Sequence, residues 1–222
     1  MPDLPDWVEP VARYMATEGL KITLALAGIS VLVSAVVGIL LGTLLTVRSL
    51  PIRAPIRAYV EVWRGLPIIV TIFLIFFALP TVDLRFSAFW SGAIGLSLWG
   101  SAQVAEATRG AVQSIPREQH EGAAALGFGW LGRHVHVVLP QALRRLLPPL
   151  VGLLVNVIQN STVAAVIGVA EVLQTGQRSV ERLTLSTGDP HAFEIFAAVM
   201  VVFFVISFPL TRLAGYLERR LV

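Results

Sequence analysis

The feature that most constrains this chain is a long stretch without a charged residue, from Ile22 to Val47. A helix rises about 1.5 Å per residue, so about 20 apolar residues cross the roughly 30 Å hydrocarbon core of a bilayer. The stretch is long enough to do so with some tilt. Its glycines, Gly28, Gly38 and Gly42, are positions where another helix can approach closely. We therefore predict a transmembrane helix that packs through these glycines.

The composition agrees with a chain embedded in a membrane. Hydrophobic residues make up 55% and charged residues 14% of the 222 residues, and the mean hydropathy is +0.76. A soluble domain carries about 25% charged residues. We predict an all-α integral membrane protein that forms a single transmembrane domain over residues 1–222. Its five predicted spans are residues 22–47, 65–82, 86–105, 146–170 and 193–211. A loop punctuated by Pro51 and Pro55 is predicted between the first two spans, and a polar segment from Glu171 to Pro190 is predicted before the fifth.

Basic residues are distributed unevenly between the predicted loops. With the N-terminus outside, the cytoplasmic side holds twelve of the 17 Lys and Arg residues. The outer side holds the other five, Arg13, Lys21, Arg85, Arg178 and Arg182. Basic loops favour the cytoplasmic side, so we predict an external N-terminus and a cytoplasmic C-terminus. The acidic N-terminal tail lacks the features of a cleaved signal peptide. Because the basic residues are concentrated in the predicted cytoplasmic loops, the excess of positive charge is explained by membrane topology, and we do not expect nucleic-acid binding.

The predicted cytoplasmic loop at residues 106–145 contains a polar segment, residues 121–140, which we name the coupling hairpin. Glu121 opens a helix-forming run, and Gly127 stands where a helix would end in a left-handed turn. A second segment with Arg133 and His134 follows, and Pro140 is predicted to stop it, because proline cannot continue a helix interior. We predict a helix, a glycine turn, a second helix and a proline stop, forming a docking surface for a soluble partner.

The coupling hairpin resembles the EAA loop of ABC-importer permeases. The resemblance runs from Glu121 and the small residue Ala123 through Gly127 to Leu139 and Pro140. Gly122 replaces the usual alanine and Val137 the usual isoleucine, and both keep the size class. The resemblance implies that these five matching residues couple the chain to cytoplasmic ATPase subunits.

Three further stretches are similar to the polar amino acid subfamily of these permeases, the histidine, glutamine and arginine type. They are EVWRGLP at 61–67, WGSAQVAEATRGAVQSIP at 99–116 and NSTVAAVIGVAEVLQTGQ at 160–177. The resemblance implies a multi-pass permease subunit of the bacterial inner membrane, acting with two ATPase subunits. It also implies a second permease, identical or homologous, and an extracytoplasmic binding protein that delivers an amino acid.

Other functions fit the sequence less well. Another small polar cargo, such as an osmolyte, stays open within the family. A secondary transporter needs an ion-coupled site, and a membrane enzyme needs clustered acids or histidines. The chain lacks a P-loop, a nucleophile–base pair and any cysteine, so we expect it neither to hydrolyse ATP nor to hold a cofactor or metal. The four histidines, His120, His134, His136 and His191, are predicted to face solvent or a partner.

Two groups of polar residues lie in or beside the predicted spans. Gln103, Glu106 and Arg109 share one helical face at the end of the third span. Glu106 either pairs with Arg109 as a structural element or, with Gln103, lines a pathway and attracts a substrate's ammonium group. In the fourth span, three amides share a face, those of Asn156, Gln159 and Asn160. They either join helices or contact a zwitterionic substrate.

Overall fold

The structure is a computed structural model that describes residues 5–221; the first residues of the acidic tail lie outside this range. Every regular element among the described residues is helical, which confirms the all-α prediction. The α-helices are α1 Val8–Tyr14, α2 Lys21–Leu44, α3 Leu50–Gly65, α4 Ile68–Phe73, α5 Ala88–Gln113, α6 Arg117–Ala125, α7 Trp130–Arg133, α8 Leu139–Asn160, α9 Val172–Thr187 and α10 Ala192–Leu221. Short π or 3₁₀ segments, Met15–Leu20, Leu74–Ala78, Leu79–Val82, His134–Val138 and Ser161–Ile167, extend several of them.

Three continuous helical runs of the described chain are long and apolar enough to cross a membrane. They are Val8–Leu44, Trp130–Ile167 and Ala192–Leu221. A fourth crossing is possible if Leu50–Gly65 and Ile68–Val82, bent by 106° at their junction, act together. The α5 helix covers the third predicted span. The number of five spans stays a prediction.

Two segments predicted as polar connections are helices instead. Residues 48–64 were expected to form a loop because of Pro51 and Pro55, but they form most of α3. Pro51 occupies the first turn, where a missing N–H costs nothing. The second segment, 171–190, is largely α9. At α9 the Glu171 side chain caps the first turn, whereas the start of α3 has no side-chain cap and the helix packs through Val60.

The contacts divide the chain into two compact units. The first comprises the chain up to Ser30, Pro67–Leu96 and Asn156–Phe208, and the second comprises Val31–Leu66, Ser97–Val155 and the chain from Pro209 onward. The core of the first unit has two apolar clusters, around Leu26, Ile72 and Leu96 and around Met15, Val172 and Ile195. The second unit is held by smaller clusters around Val60, Val104 and Val138. The single domain over residues 1–222 stays a prediction.

The predicted glycine contacts of α2 hold at two of the three positions. A Cβ atom added to Gly38 would lie 2.5 Å from the Cβ of Val104, and one added to Gly42 would collide with the carbonyl oxygen of Ala105. In the second unit, α2 therefore packs directly on the backbone of α5. The expectation is wrong for Gly28, which has no atom within 4 Å of such a Cβ. That glycine faces away from the described packing.

Glu171 is a fully buried carboxyl group that caps the first turn of α9. Its side chain accepts from the N–H groups of Leu173 (2.9 Å) and Gln174 (2.8 Å), and Thr23 accepts from the N–H of Val172 (3.1 Å). These bonds satisfy donors that a helix start leaves without partners. Burial nevertheless raises the pKa of Glu171 to about 7, outweighing the two backbone bonds.

This raised pKa predicts that the protein loses stability as pH rises. An acid whose pKa rises from 4.5 to about 7 on folding contributes its full stability below pH 4.5, and that contribution disappears by about pH 7. The loss is on the order of 3 kcal/mol. We expect the melting temperature in detergent to fall between about pH 4.5 and 7, and Glu171→Gln, which keeps a capping oxygen, to reduce that slope. Parallel melting curves for both proteins would contradict this assignment.

Candidate functional site

The α6 helix opens the coupling hairpin and ends in a tight turn at Gly127. Gly127 has a φ of 86°, in the left-handed region that glycine adopts at little cost. Its N–H donates to the carbonyl of Ala124 (2.9 Å), and the N–H of Phe128 donates to the carbonyl of Ala123 (3.1 Å). This pair of bonds is the Schellman motif. The predicted glycine turn is confirmed.

The predicted stop at Pro140 is wrong, because the helical run Trp130–Ile167 continues through it. Proline lacks an N–H and crowds the carbonyl of the preceding turn. The π-helical turn His134–Val138 precedes it, and the N–H of Leu139 donates five residues back rather than four. The Gln141 side chain donates to the carbonyl four residues before it (2.9 Å). The wider turn accommodates the proline, so the hairpin leads directly into α8.

The tip of the hairpin presents apolar side chains. Leu126 is 79% exposed and Leu131 67% exposed, whereas Ala123 is buried. Glu121 is exposed and accepts from the guanidinium of Arg117, one turn earlier, at 2.7 Å. An exposed pair of this kind contributes little stability. The surface therefore combines an apolar tip with a charge pair and is suited to contact another protein.

The prediction that His134 faces solvent or a partner is wrong. The ring is 5% exposed, and its centroid lies 4.1 Å from that of Trp130. Its Nδ1 donates to the Trp130 carbonyl (2.9 Å), and its Nε2 lies 3.3 Å from the hydroxyl of Thr46. His134 thus packs the hairpin against the end of α2. His136 is exposed, as predicted, and His191 stacks on Trp7 in the first unit.

Glu106 lies at the centre of an ionic cluster between α3 and α5. Its carboxylate accepts from Arg109 (3.0 Å) and from Arg57 (3.2 Å). The amide oxygen of Gln103 accepts from Arg64 (3.2 Å). The Glu106–Arg109 pair considered from the sequence is therefore present. Because Arg57 and Arg109 already bind the Glu106 carboxylate, a cationic group competes with these two arginines for it.

Arg57 is the residue of this cluster that sequence analysis does not identify, and Arg64, whose position favours a topological anchor, binds Gln103 instead. Arg57 also pairs with Glu61 on the next turn (3.4 Å), so charges recur at helical spacing along α3. That periodicity is visible in the sequence. Pro51 and Pro55 obscure this periodicity, because prolines between two predicted spans indicate a loop.

The three amides at the end of α8 have different surroundings. The Asn160 side chain donates to the carbonyl of Asn156 (2.8 Å), and Gln159 lies 3.5 Å from the hydroxyl of Ser207 on α10. Gln159 therefore joins two helices, while the side chain of Asn156 is exposed. These amides belong to the first compact unit, and Gln103 and Glu106 belong to the second.

Comparison with known proteins places this arrangement in a family. Residues 34–222 match the family described as binding-protein-dependent transport system inner membrane component. The glutamine transport system permease protein GlnP of Escherichia coli K12 is 35% identical over 92% of this chain and 91% of its own length. The probable glutamine ABC transporter permease protein GlnM of Bacillus subtilis is 29% identical over 93% of each chain.

Solved structures share the fold. A crystal structure of an amino acid ABC transporter with histidines superposes with a TM-score of 0.83 at 27% identity, covering 99% of this chain and 100% of the other. The inward-facing MetNI methionine ABC transporter reaches 0.76 at 19% identity, over 96% and 99%, which supports the fold alone. Because the family match covers most of the chain and its relatives align over nearly their whole length, this chain belongs to the binding-protein-dependent inner membrane components, the permeases of ABC importers.

Proposed function

We propose that this permease imports polar amino acids, driven by two separate cytoplasmic ATPase subunits that dock on the coupling hairpin. The observation that carries the coupling role is the hairpin itself. Its Schellman turn at Gly127 holds an apolar tip exposed at Leu126. The amino acid cargo is supported by the relatives, which are named for glutamine, and by the polar groups along α5 and α8.

The proposed coupling follows the continuous helix that leaves the hairpin. Leu139 and Pro140 open α8 without a loop between them and the preceding turn. The α8 helix then reaches Asn160, over about 33 Å at 1.5 Å per residue. A displacement of the hairpin by the ATPases therefore moves a helix that bears amides at its far end. Such movement alternates outward and inward access by shifting between two states.

For the pathway we propose that Gln103, Glu106, Asn156, Gln159 and Asn160 line the route. Their amides donate to a carboxylate and accept from an ammonium, which suits a zwitterion. Glu106 supplies the acidic charge of this set, and it is already held by Arg57 and Arg109. Glu106 therefore has two roles to distinguish: selecting the substrate, and holding α3 against α5.

Glu106→Gln separates these two roles. If Glu106 attracts an ammonium group, we expect uptake of cationic amino acids in proteoliposomes to fall more than uptake of neutral ones. The physical reason is the loss of one negative charge from a site rich in arginine. Arg109→Gln is the matched variant, because it breaks the same pair and leaves the carboxylate. Equal losses for all substrates in Glu106→Gln would assign the residue to structure alone.

The assembly is tested by purifying the tagged chain in mild detergent and identifying the subunits that accompany it. We expect an ATPase, a second permease that is identical or homologous, and capture of an extracytoplasmic binding protein. We propose that the N-terminus is outside and the C-terminus cytoplasmic, which cysteine labelling at either end of this cysteine-free chain would test. Uptake without ATP would favour a secondary transporter, and uptake of an osmolyte instead of amino acids would change the cargo.

A further inference from the structure

A polar cavity of about 570 Å³ lies behind the coupling hairpin in the second unit. The end of α2, the start of α3, the end of α5 and the hairpin all contribute to its wall. Four arginines line it, Arg48, Arg53, Arg117 and Arg133. The only carboxylate in its lining is that of Glu121. The cavity is therefore rich in positive charge.

Most of this charge is not neutralised by the protein. Glu121 pairs with Arg117. Within residues 5–221, the side chains of Arg48 and Arg53 make no hydrogen bond or ion pair. Arg133 donates to a backbone carbonyl at 3.4 Å, and its Nε is buried without an acceptor. A buried donor without an acceptor costs free energy, so Arg133 would gain from an acceptor, and the guanidinium groups of Arg48 and Arg53 remain available to an anion.

The chemistry of the lining fits a phosphate group. A guanidinium presents a planar fork of N–H donors that matches phosphate oxygens, and paired arginines hold such a group more firmly than single charges. In a partly enclosed cavity the attraction is stronger than in bulk water. A carboxylate ligand would need fewer donors than three arginines supply.

The outer surface of α3 indicates where such a phosphate comes from. Leu50 is 63% exposed and Ile52 43% exposed, and Leu50 shares a helical face with Arg53. An apolar surface beside basic side chains is typical of a helix at the membrane interface. These residues lie on the predicted cytoplasmic side, where the leaflet carries anionic lipids that attract basic segments.

We propose that this cavity is a phosphate-binding site, filled by the headgroup of an anionic phospholipid whose acyl chains lie along Leu50 and Ile52. The bound lipid holds the start of α3 against the coupling hairpin. The site is independent of the amino acid cargo.

The test uses the assembled transporter in nanodiscs of phosphatidylcholine with increasing phosphatidylglycerol, read by melting temperature. We expect phosphatidylglycerol to raise the melting temperature of the wild type. The double variant Arg48→Gln/Arg53→Gln should need about 30-fold more phosphatidylglycerol for half the effect, since each arginine near the surface contributes about a fivefold factor. The control Arg144→Gln/Arg219→Gln removes the same charge outside the cavity and should behave as the wild type.

Three other outcomes would contradict the proposal in whole or in part. If both double variants needed the same amount of phosphatidylglycerol for half the rise in melting temperature, the site would be overturned. A stabilisation by inorganic phosphate in pure phosphatidylcholine, lost in Arg48→Gln/Arg53→Gln, would keep the phosphate site and overturn the lipid as its occupant. Loss of the ATPase from that variant in every lipid would overturn the proposal in favour of a protein contact.

Discussion

Gly127→Asp is expected to abolish ATPase association and uptake while leaving the permease folded in the membrane. A side chain at this position meets no atom within 4 Å, so it projects from the turn without disturbing the core. Aspartate tolerates the left-handed backbone better than most residues. The damage therefore comes from a negative charge at the end of α6, where the helix dipole disfavours it, and from its place at the docking tip. Co-purification of the ATPase and uptake in proteoliposomes measure both effects.

Two matched variants isolate the cause. Gly127→Asn has the same shape and the same backbone tolerance without the charge, so it should retain much of the association. Gly188→Asp introduces the same charge at another left-handed glycine, with φ of 78° and no atom within 4 Å, on the predicted outer side. It should leave the ATPase bound. Normal uptake by Gly127→Asp would refute docking at the hairpin tip.

The parts of the fold that sequence analysis predicted correctly depend on local chemistry. The long apolar stretches require helices in a membrane, and the turn at Gly127 depends on the conformational freedom of one residue. The Glu106–Arg109 pair follows from helical spacing alone. Each of these signals lies within one continuous segment of the sequence, so it can be recognised without tertiary structure.

The errors occurred where the folded surroundings of a residue, rather than its type, decide the outcome. Pro140 lies inside a helical run because the preceding π turn, His134–Val138, accommodates it. His134 is buried because Trp130 and the end of α2 cover it. Residue type alone predicts neither the π turn before Pro140 nor the burial of His134, because each depends on the folded structure around the residue.

The glycines of α2 show the same limit, because their spacing does not indicate which of them is covered. Gly42 faces the carbonyl oxygen of Ala105 and the side chain of Thr108 so closely that no Cβ atom fits. Backbone cannot yield as a flexible side chain does. Gly42→Ala should therefore force α2 away from α5 and cost about 1–3 kcal/mol, which a fall in melting temperature and loss of monodisperse protein in detergent would reveal.

Gly28→Ala is the matched control for Gly42→Ala, since it makes the same change in the same helix. With no atom within 4 Å, the added methyl meets open space, and the gain in helix propensity is about 0.5–1 kcal/mol. The two variants should therefore shift the melting temperature in opposite directions. If both stabilise the protein, the close approach of α2 to α5 does not limit its packing, and Gly42 has no steric role.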